Sequence, residues 1–419
     1  EGAQEDLVKG IKQLTSKPVV GVGRFTSPDA MVRQIKAGIL DFIGAARPSI
    51  ADPFLPLKVQ EGRYEDIREC IGCNICVSGD MTGSISRCTQ NTAFMEEWRK
   101  GWHPDRARPK GASETVLIVG AGPTGLEAAL QAARRGYTVT LAEATTTLGG
   151  RVAKERTLPG LSAWGRVSDY RTGQLGPMPN VEIYRDSPLA PEDLLAMGAD
   201  HIAIATGATW RRDAVARLHL HGVPTDPRMP LFTPDDLMAG LCPEDQTVTL
   251  YDDDHYYMGS VLAELLVQKG NRVHFVTPAV KVAEWTDNTL EQGTIMRRLL
   301  ELGVEIHLSK APEAIGAKEV TLGCTWTGRQ TTLPTEAVVH VTSRIPNDQL
   351  FHATKALDWQ AQGIRTLTLI GDAAAPGPIA WATYAGRTWA EGLDQPAQGD
   401  ALTFRREIAA LDPGPSLLP

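Results

Sequence analysis

Thr115-Val116-Leu117-Ile118-Val119-Gly120-Ala121-Gly122-Pro123-Thr124-Gly125 is a short β-branched apolar run that passes directly into G-x-G-x-x-G. The run predicts a buried parallel strand, and the segment after it predicts a helix through Arg135 that Gly136 stops. A second strand follows at Thr138 to Leu141, with Glu143 at its end, eighteen residues after Gly125. Glycines at this strand-to-helix turn let a pyrophosphate reach the backbone and the helix N-terminus, while the acid can accept from ribose hydroxyls. Gly120, Ala121, Gly122, Pro123, Thr124, Gly125 and Glu143 are therefore candidate contacts of a bound adenine nucleotide. Gly150 and Arg151 join that candidate set.

Two further strands extend the same sheet. Ile202 to Gly207 ends in Ala-Thr-Gly, and Thr368 to Asp372 ends in Gly-Asp. Both bring small residues to the carboxyl end of a strand, where open α/β sheets bind ligands. Thr206, Gly207, Gly371 and Asp372 are candidates on that ground, Asp372 as an acceptor from a ribityl or ribose hydroxyl. Between these strands a second unit of the same kind is expected: strand Thr247 to Tyr251, helix Gly259 to Lys269, strand Arg272 to Thr277. Its phosphate loop reads Asp252-Asp253-Asp254-His255-Tyr256-Tyr257-Met258-Gly259. Three carboxylates repel a pyrophosphate and bulky aromatics keep it from the backbone, so NAD(P)H is not expected there. His255 reads as a polar surface or interdomain residue.

Upstream, Cys70-Ile71-Gly72-Cys73-Asn74-Ile75-Cys76 is C-x2-C-x2-C, and Cys88 follows after eleven residues. Three thiolates on one tight loop can each reach a different iron of a cubane, with a distant fourth closing it. A zinc ribbon would carry two separated C-x2-C pairs instead, and a redox pair needs only two thiols. A [4Fe-4S] cluster is the expected occupant. Cys242 and Cys324 read as ordinary buried thiols.

Before the cysteines the chain reads as amphipathic helix (Glu5 to Thr15), strand (Pro18 to Val22), helix (Ser27 to Gly38) and strand (Leu40 to Ile43). This is a βα unit of a parallel sheet. Its loops pair small residues with arginine, at Gly23-Arg24 and at Gly44-Ala45-Ala46-Arg47. Such loops after the last two strands of a (β/α)8 barrel commonly hold a phosphate. Two surface arginines in unrelated turns are the plainer alternative. Two strands cannot close a barrel, so the sequence reads as starting inside a domain, with the remainder expected N-terminal to it or on a separate chain.

The 419 residues are enough for two or three domains. Hydrophobic residues make up 42% and charged residues 22%, which excludes disordered and fibrous classes. A formal charge of −8 argues against a general nucleic-acid binder. No apolar run approaches a membrane span and no leader pattern opens the chain, so a cytoplasmic protein with no membrane partner is expected. The expected organisation is α/β. Residues 1–64 would be the C-terminal remnant of a (β/α)8 barrel and 65–112 the iron–sulfur segment and linker. Residues 113–212 and 341–419 would form the ADP- or FAD-binding domain, with an inserted NAD(P)-domain-like unit at 213–340.

Barrel tail, C-x2-C-x2-C-x11-C, G-x-G-x-x-G and Gly-Asp, in this order, resemble the trimethylamine, dimethylamine and histamine dehydrogenase family of flavin and iron–sulfur enzymes. Cys70 to Asn74, Gly101-Trp102-His103-Pro104, Leu158 to Leu161 and Ile204 to Ala208 carry the resemblance further. 2,4-Dienoyl-CoA reductase, an Old Yellow Enzyme relative, and bacterial demethylases of dimethylglycine are similar again. The resemblance implies FMN phosphate contacts at Gly23, Arg24, Ala46 and Arg47, the cluster on Cys70, Cys73, Cys76 and Cys88, and ADP or FAD at Gly120 to Gly125 and Glu143. It also implies oxidation of a methylated amine, with electrons leaving through the cluster to an electron-transfer flavoprotein or similar carrier. Tyr256 and Tyr257 are candidates to line that exit. The alternatives are an NADPH-dependent dienoyl-CoA or enoate reductase, which the acidic loop argues against, and a non-catalytic electron-transfer subunit. A homo-oligomer, or a complex with a chain supplying the rest of the barrel, is expected. The family's catalytic residues belong to the missing barrel strands, so none can be named here.

Overall fold

The computed structural model describes residues 1–395; residues 396–419, expected to close the nucleotide-binding domain, lie outside the described residues. Two five-stranded parallel sheets dominate. The first orders its strands Thr366–Leu369, His201–Ile204, Thr115–Val119, Thr138–Ala142 and Val181–Tyr184. Every pairing in it is parallel. Its central strands are buried on both faces, which explains their unbroken apolar character. Helix Pro123–Arg135 lies on it and packs against helix Ile379–Gly392, an Ala-rich contact that lets the two come close.

The second sheet runs Glu305–His307, Arg272–Val276, Thr247–Asp252, Ala337–Val341 and Leu231–Phe232, again all parallel. A three-stranded antiparallel sheet, Lys310–Ile315, Glu319–Cys324 and Gln330–Pro334, is attached to it. The chain enters this unit after His201–Ile204 and returns before Thr366–Leu369, so the second unit is an insertion in the first. Both crossings share one antiparallel ribbon, Ala208–Trp210 against Arg344–Pro346.

Toward the N-terminus the amphipathic segment expected over Glu5 to Thr15 is interrupted at Lys9-Gly10. It forms helix Glu5–Val8 and a 3-10 turn Ile11–Leu14. Strands Val20–Gly21 and Phe42–Ile43 pair in parallel around helix Pro28–Lys36 and leave Val20, Val22 and Phe42 exposed. Buried ion pairs tie the following segment down. Lys58 reaches Asp52 at 2.7 Å and Asp105 at 3.1 Å, and Arg68 reaches Asp105 at 2.8 Å. Among the described residues no helix is long and apolar enough to cross a membrane.

Candidate functional site

The cysteine loop is built from left-handed backbone. Gly72 has φ +75° and Asn74 φ +52°, and the turn they make starts helix Ile75–Thr82 with Cys76 in its first turn. Cys70, Cys73, Cys76 and Cys88 line one cavity together with Arg47 and Thr89. Burial pushes the Cys73 and Cys88 thiols up to about 12 and Cys76 up to about 11, with neighbouring thiolates adding to the shift. Sulfurs so unwilling to ionise alone become anionic when a metal supplies the positive charge. The Thr89 hydroxyl lies 3.2 Å from Cys73 Sγ, and the Asn91 N–H donates to Cys88 Sγ at 3.4 Å.

Spacing separates two metal chemistries. A tetrahedral zinc with Zn–S of about 2.3 Å holds its sulfurs about 3.8 Å apart. No three of these sulfurs lie within 4.8 Å of one another; among the described residues only His274, Glu305 and His307 bring ligand atoms that close. The quartet fits a polynuclear iron–sulfur core better than a single ion.

The two small-residue loops reach this segment. Arg24, at φ +54° after Gly23, donates to the Cys70 carbonyl at 3.1 Å, and Arg166 donates to the same oxygen at 3.2 Å. Arg47, following Ala46 at the start of helix Arg47–Ala51, donates to Asn74 Oδ1. A buried network fixes the far side. Arg171 pairs with Glu127 at 2.6 Å and donates to the Thr89 and Gln90 carbonyls, joining the residues after Cys88 to helix Pro123–Arg135.

At the glycine loop a β-carbon on Gly125 would lie 1.8 Å from the Gly120 carbonyl oxygen, so only glycine fits. Glu143 Oε2 accepts from the Ala121 N–H at 2.8 Å, and Oε1 accepts from the Thr145 N–H at 2.9 Å. Gly122 and Gly150 approach each other closely, which brings Arg151 beside the loop. Thr206 and Gly207 are bridged by Asn347, which donates to the Thr206 carbonyl and to the Gly207 carbonyl.

Arg151 and Asp372 meet each other. Asp372 Oδ2 accepts from Arg151 at 2.7 Å and from Arg344 at 2.6 Å, while Oδ1 accepts from the Gly377 N–H. Arg151 also donates to the Tyr257 hydroxyl at 3.1 Å, which donates to Glu155 at 3.0 Å. This knot borders a cavity of about 280 Å³ between the two units, walled by Trp210, Tyr256, Tyr257, Trp285 and Trp381. Arg344 carries no local sequence signal, because its partner Asp372 lies 28 positions along the chain, whereas Glu155 sits one helical turn from Arg151 and reaches Tyr257 only through the fold.

The acidic loop is packed rather than open. Asp252 is fully buried against Gly259, where a β-carbon would lie 2.8 Å from its carboxyl carbon. The side chain thus occupies the amino end of helix Tyr257–Gln268, the place a pyrophosphate takes in a nucleotide-binding unit. Burial pushes Asp252 up to about 7. His255 is not a surface residue: its side chain is 12% exposed and its Nε2 lies 2.9 Å from Asp253. Tyr256 packs edge-on against Trp285 and Tyr257, with ring centres 4.8 Å apart in each case. Tyr256, Tyr257 and Cys73 line one further small cavity, so this aromatic group runs from the cysteine quartet to the cavity between the units.

Such a chain, with a glycine-rich nucleotide loop and a thiol quartet beside arginine-bearing loops, has the parts of a flavoprotein oxidoreductase. Family comparisons agree. Residues 2–66 match the NADH:flavin oxidoreductase / NADH oxidase family, 115–173 the FAD dependent oxidoreductases and 232–327 the OYE-like second alpha/beta domain. Dimethylamine dehydrogenase of Hyphomicrobium sp. (strain x) is 38% identical over 97% of this chain and 59% of its own length. Histamine dehydrogenase from Rhizobium sp. 4-9 superposes with a TM-score of 0.94 at 61% identity, over 97% of this chain and 60% of that one. The 6-hydroxypseudooxynicotine amine oxidase of Pseudomonas geniculata N1 follows at 0.91 and 48%, over 93% and 58%. The chain is homologous to the dimethylamine and histamine dehydrogenases, and it spans about three fifths of the length of these relatives.

Proposed function

We propose that the chain is the cofactor-bearing portion of an amine dehydrogenase, in which Cys70, Cys73, Cys76 and Cys88 hold a [4Fe-4S] cluster between FMN and an external acceptor. The cysteine quartet carries the reading: half-buried around one cavity, too widely spaced for one ion, and adjoined by Arg24 and Arg47. Bound FMN would supply two-electron oxidation of an amine, and the cluster would relay single electrons onward. The chain's own residues would do the rest. Arg24 and Arg47, on the Gly23 and Ala46 loops, would pair with the flavin phosphate. The Asn91 N–H and the Thr89 hydroxyl would stabilise negative charge on the cluster sulfurs and so tune its potential.

Gly120 to Gly125, Glu143 and Gly150 would hold an adenine nucleotide at the helix N-terminus. The commitment of Asp372 to Arg151 and Arg344, beside Trp210, favours ADP there over FAD, because the carboxylate is already spent on guanidinium groups. Under this reading the first sheet and its insertion are a doubly wound nucleotide-binding domain and a relative that has lost its ligand, and the N-terminal strand pair ends a (β/α)8 barrel. The substrate would be a methylated or primary amine, the classes named by the dimethylamine and histamine relatives. Asp252 on Gly259 argues against entry of electrons from NADPH, so they would leave to an electron-transfer flavoprotein or similar carrier.

The test is metal analysis of the purified full-length enzyme, followed by anaerobic titration. About four irons and four acid-labile sulfides per chain are expected, and zinc without iron would overturn the cluster. Dimethylamine or histamine should bleach the flavin absorbance. Bleaching by NADPH with all amines inert would replace this reading by the reductase.

A further inference from the structure

A second metal-ligating group lies on the inserted unit, on different strands from the cysteines. His274 belongs to strand Arg272–Val276, and Glu305 and His307 to the neighbouring edge strand Glu305–His307. The parallel register pairs His274 with Glu305, and the period of two puts Glu305 and His307 on one face. His274 Nδ1 lies 3.3 Å from His307 Nε2 and 3.1 Å from Glu305 Oε2.

Those separations match a tetrahedral ion. With Zn–N and Zn–O of about 2.0–2.1 Å, ligand atoms around zinc stand about 3.3 Å apart. We propose that His274, Glu305 and His307 form a zinc site that staples the edge strand of the second sheet to its neighbour. Two imidazoles and a carboxylate suit a borderline cation and leave a fourth position for water, Glu305 being the most exposed of the three. Burial lowers the proton affinity of both imidazoles, which keeps their nitrogens free to ligate near neutral pH. Arg272 competes for the site: its guanidinium pairs with Glu305, and zinc must share or displace it.

The sign of that competition makes the test two-sided. The holoenzyme, freed of loosely held metal with a chelator, is dialysed against zinc chloride. Bound zinc and iron are then measured together for wild type, His274→Ala, His307→Gln and Arg272→Gln. One zinc per chain is expected in wild type. Both histidine variants should weaken binding by at least about tenfold and Arg272→Gln should tighten it, with iron unchanged throughout. No uptake by wild type at about 100 μM zinc, or one isotherm shared by wild type and both histidine variants, would overturn the proposal. Sulfur around the bound zinc in X-ray absorption would also overturn it, by assigning the metal to cysteine. His307→Gln, at a partly exposed position, keeps the test alive if His274→Ala fails to fold.

Discussion

Asp252→Asn isolates the buried carboxyl group at the amino end of helix Tyr257–Gln268. In the wild type Oδ2 has no hydrogen-bond partner and Oδ1 accepts only from the His255 N–H, at 3.3 Å. Burial therefore dominates, and the acid rises from 3.8 to about 7 although His255 pulls it down. The native state binds this proton more tightly than the unfolded chain does. The carboxyl's contribution is thus fully present below about pH 4 and is lost as pH rises through 7. A shift of roughly three pH units corresponds to about 4 kcal/mol lost by pH 8. The amide keeps the shape and cannot ionise. Urea unfolding of both proteins from pH 4.5 to 8.5 should give a stability difference that moves in the variant's favour by about 3 kcal/mol across that range. Groups that titrate alike in both proteins cancel. A difference independent of pH, or a variant less stable at pH 8, would refute the assignment of a buried, costly charge.

Gly125→Ala should expel the nucleotide, because the new β-carbon meets a backbone oxygen that cannot swing aside; adenine nucleotide released on acid denaturation should fall at least about tenfold, and full retention would contradict the loop's role. Arg171→Met leaves Glu127 buried without its closest cation and should cost about 3–5 kcal/mol in thermal or urea unfolding. Adding Glu127→Gln should restore part of that loss, and simple additivity of the two would count against a coupled pair. In metal-stripped protein at pH 8, Cys324 should alkylate at least about a hundred times faster than Cys73 or Cys88, as read by peptide mass mapping. A hydrogen bond from Thr327 draws the Cys324 thiol down, whereas burial holds the other two up to about 12. Equal rates would remove the electrostatic account of the quartet.

The strands and the glycine turn were legible because their signal is local: β-branched runs, glycines at fixed offsets and cysteines on one loop. The acidic loop after strand Thr247–Asp252 was legible for the same reason, since three adjacent aspartates announce themselves. Where Asp252 goes was not, because its partner, Gly259, becomes a neighbour only once the helix has formed. Asp372 illustrates the harder case. Gly-Asp at a strand end suggested a sugar contact, yet the structure gives its oxygens to Arg151 and Arg344, residues 221 and 28 positions away. His255 read as a surface or interdomain residue; the structure rules out the surface, because Asp253 draws the ring inward. Long-range pairing of charges leaves no periodicity to read. The zinc ligands were hidden similarly, on two strands joined only by their register.

Entry and exit through a single ribbon, Ala208–Trp210 with Arg344–Pro346, make the inserted unit a door on one hinge. Its latch is Tyr257, caught between Arg151 and Glu155 of the host. Around it the two units share one apolar core, in which Trp164 and Val167 of the host pack with Leu250 and Phe275 of the insert, and Asn74 of the cysteine loop donates to the Thr289 carbonyl. The door can therefore be exchanged only together with the surface it closes on, the cysteine loop included.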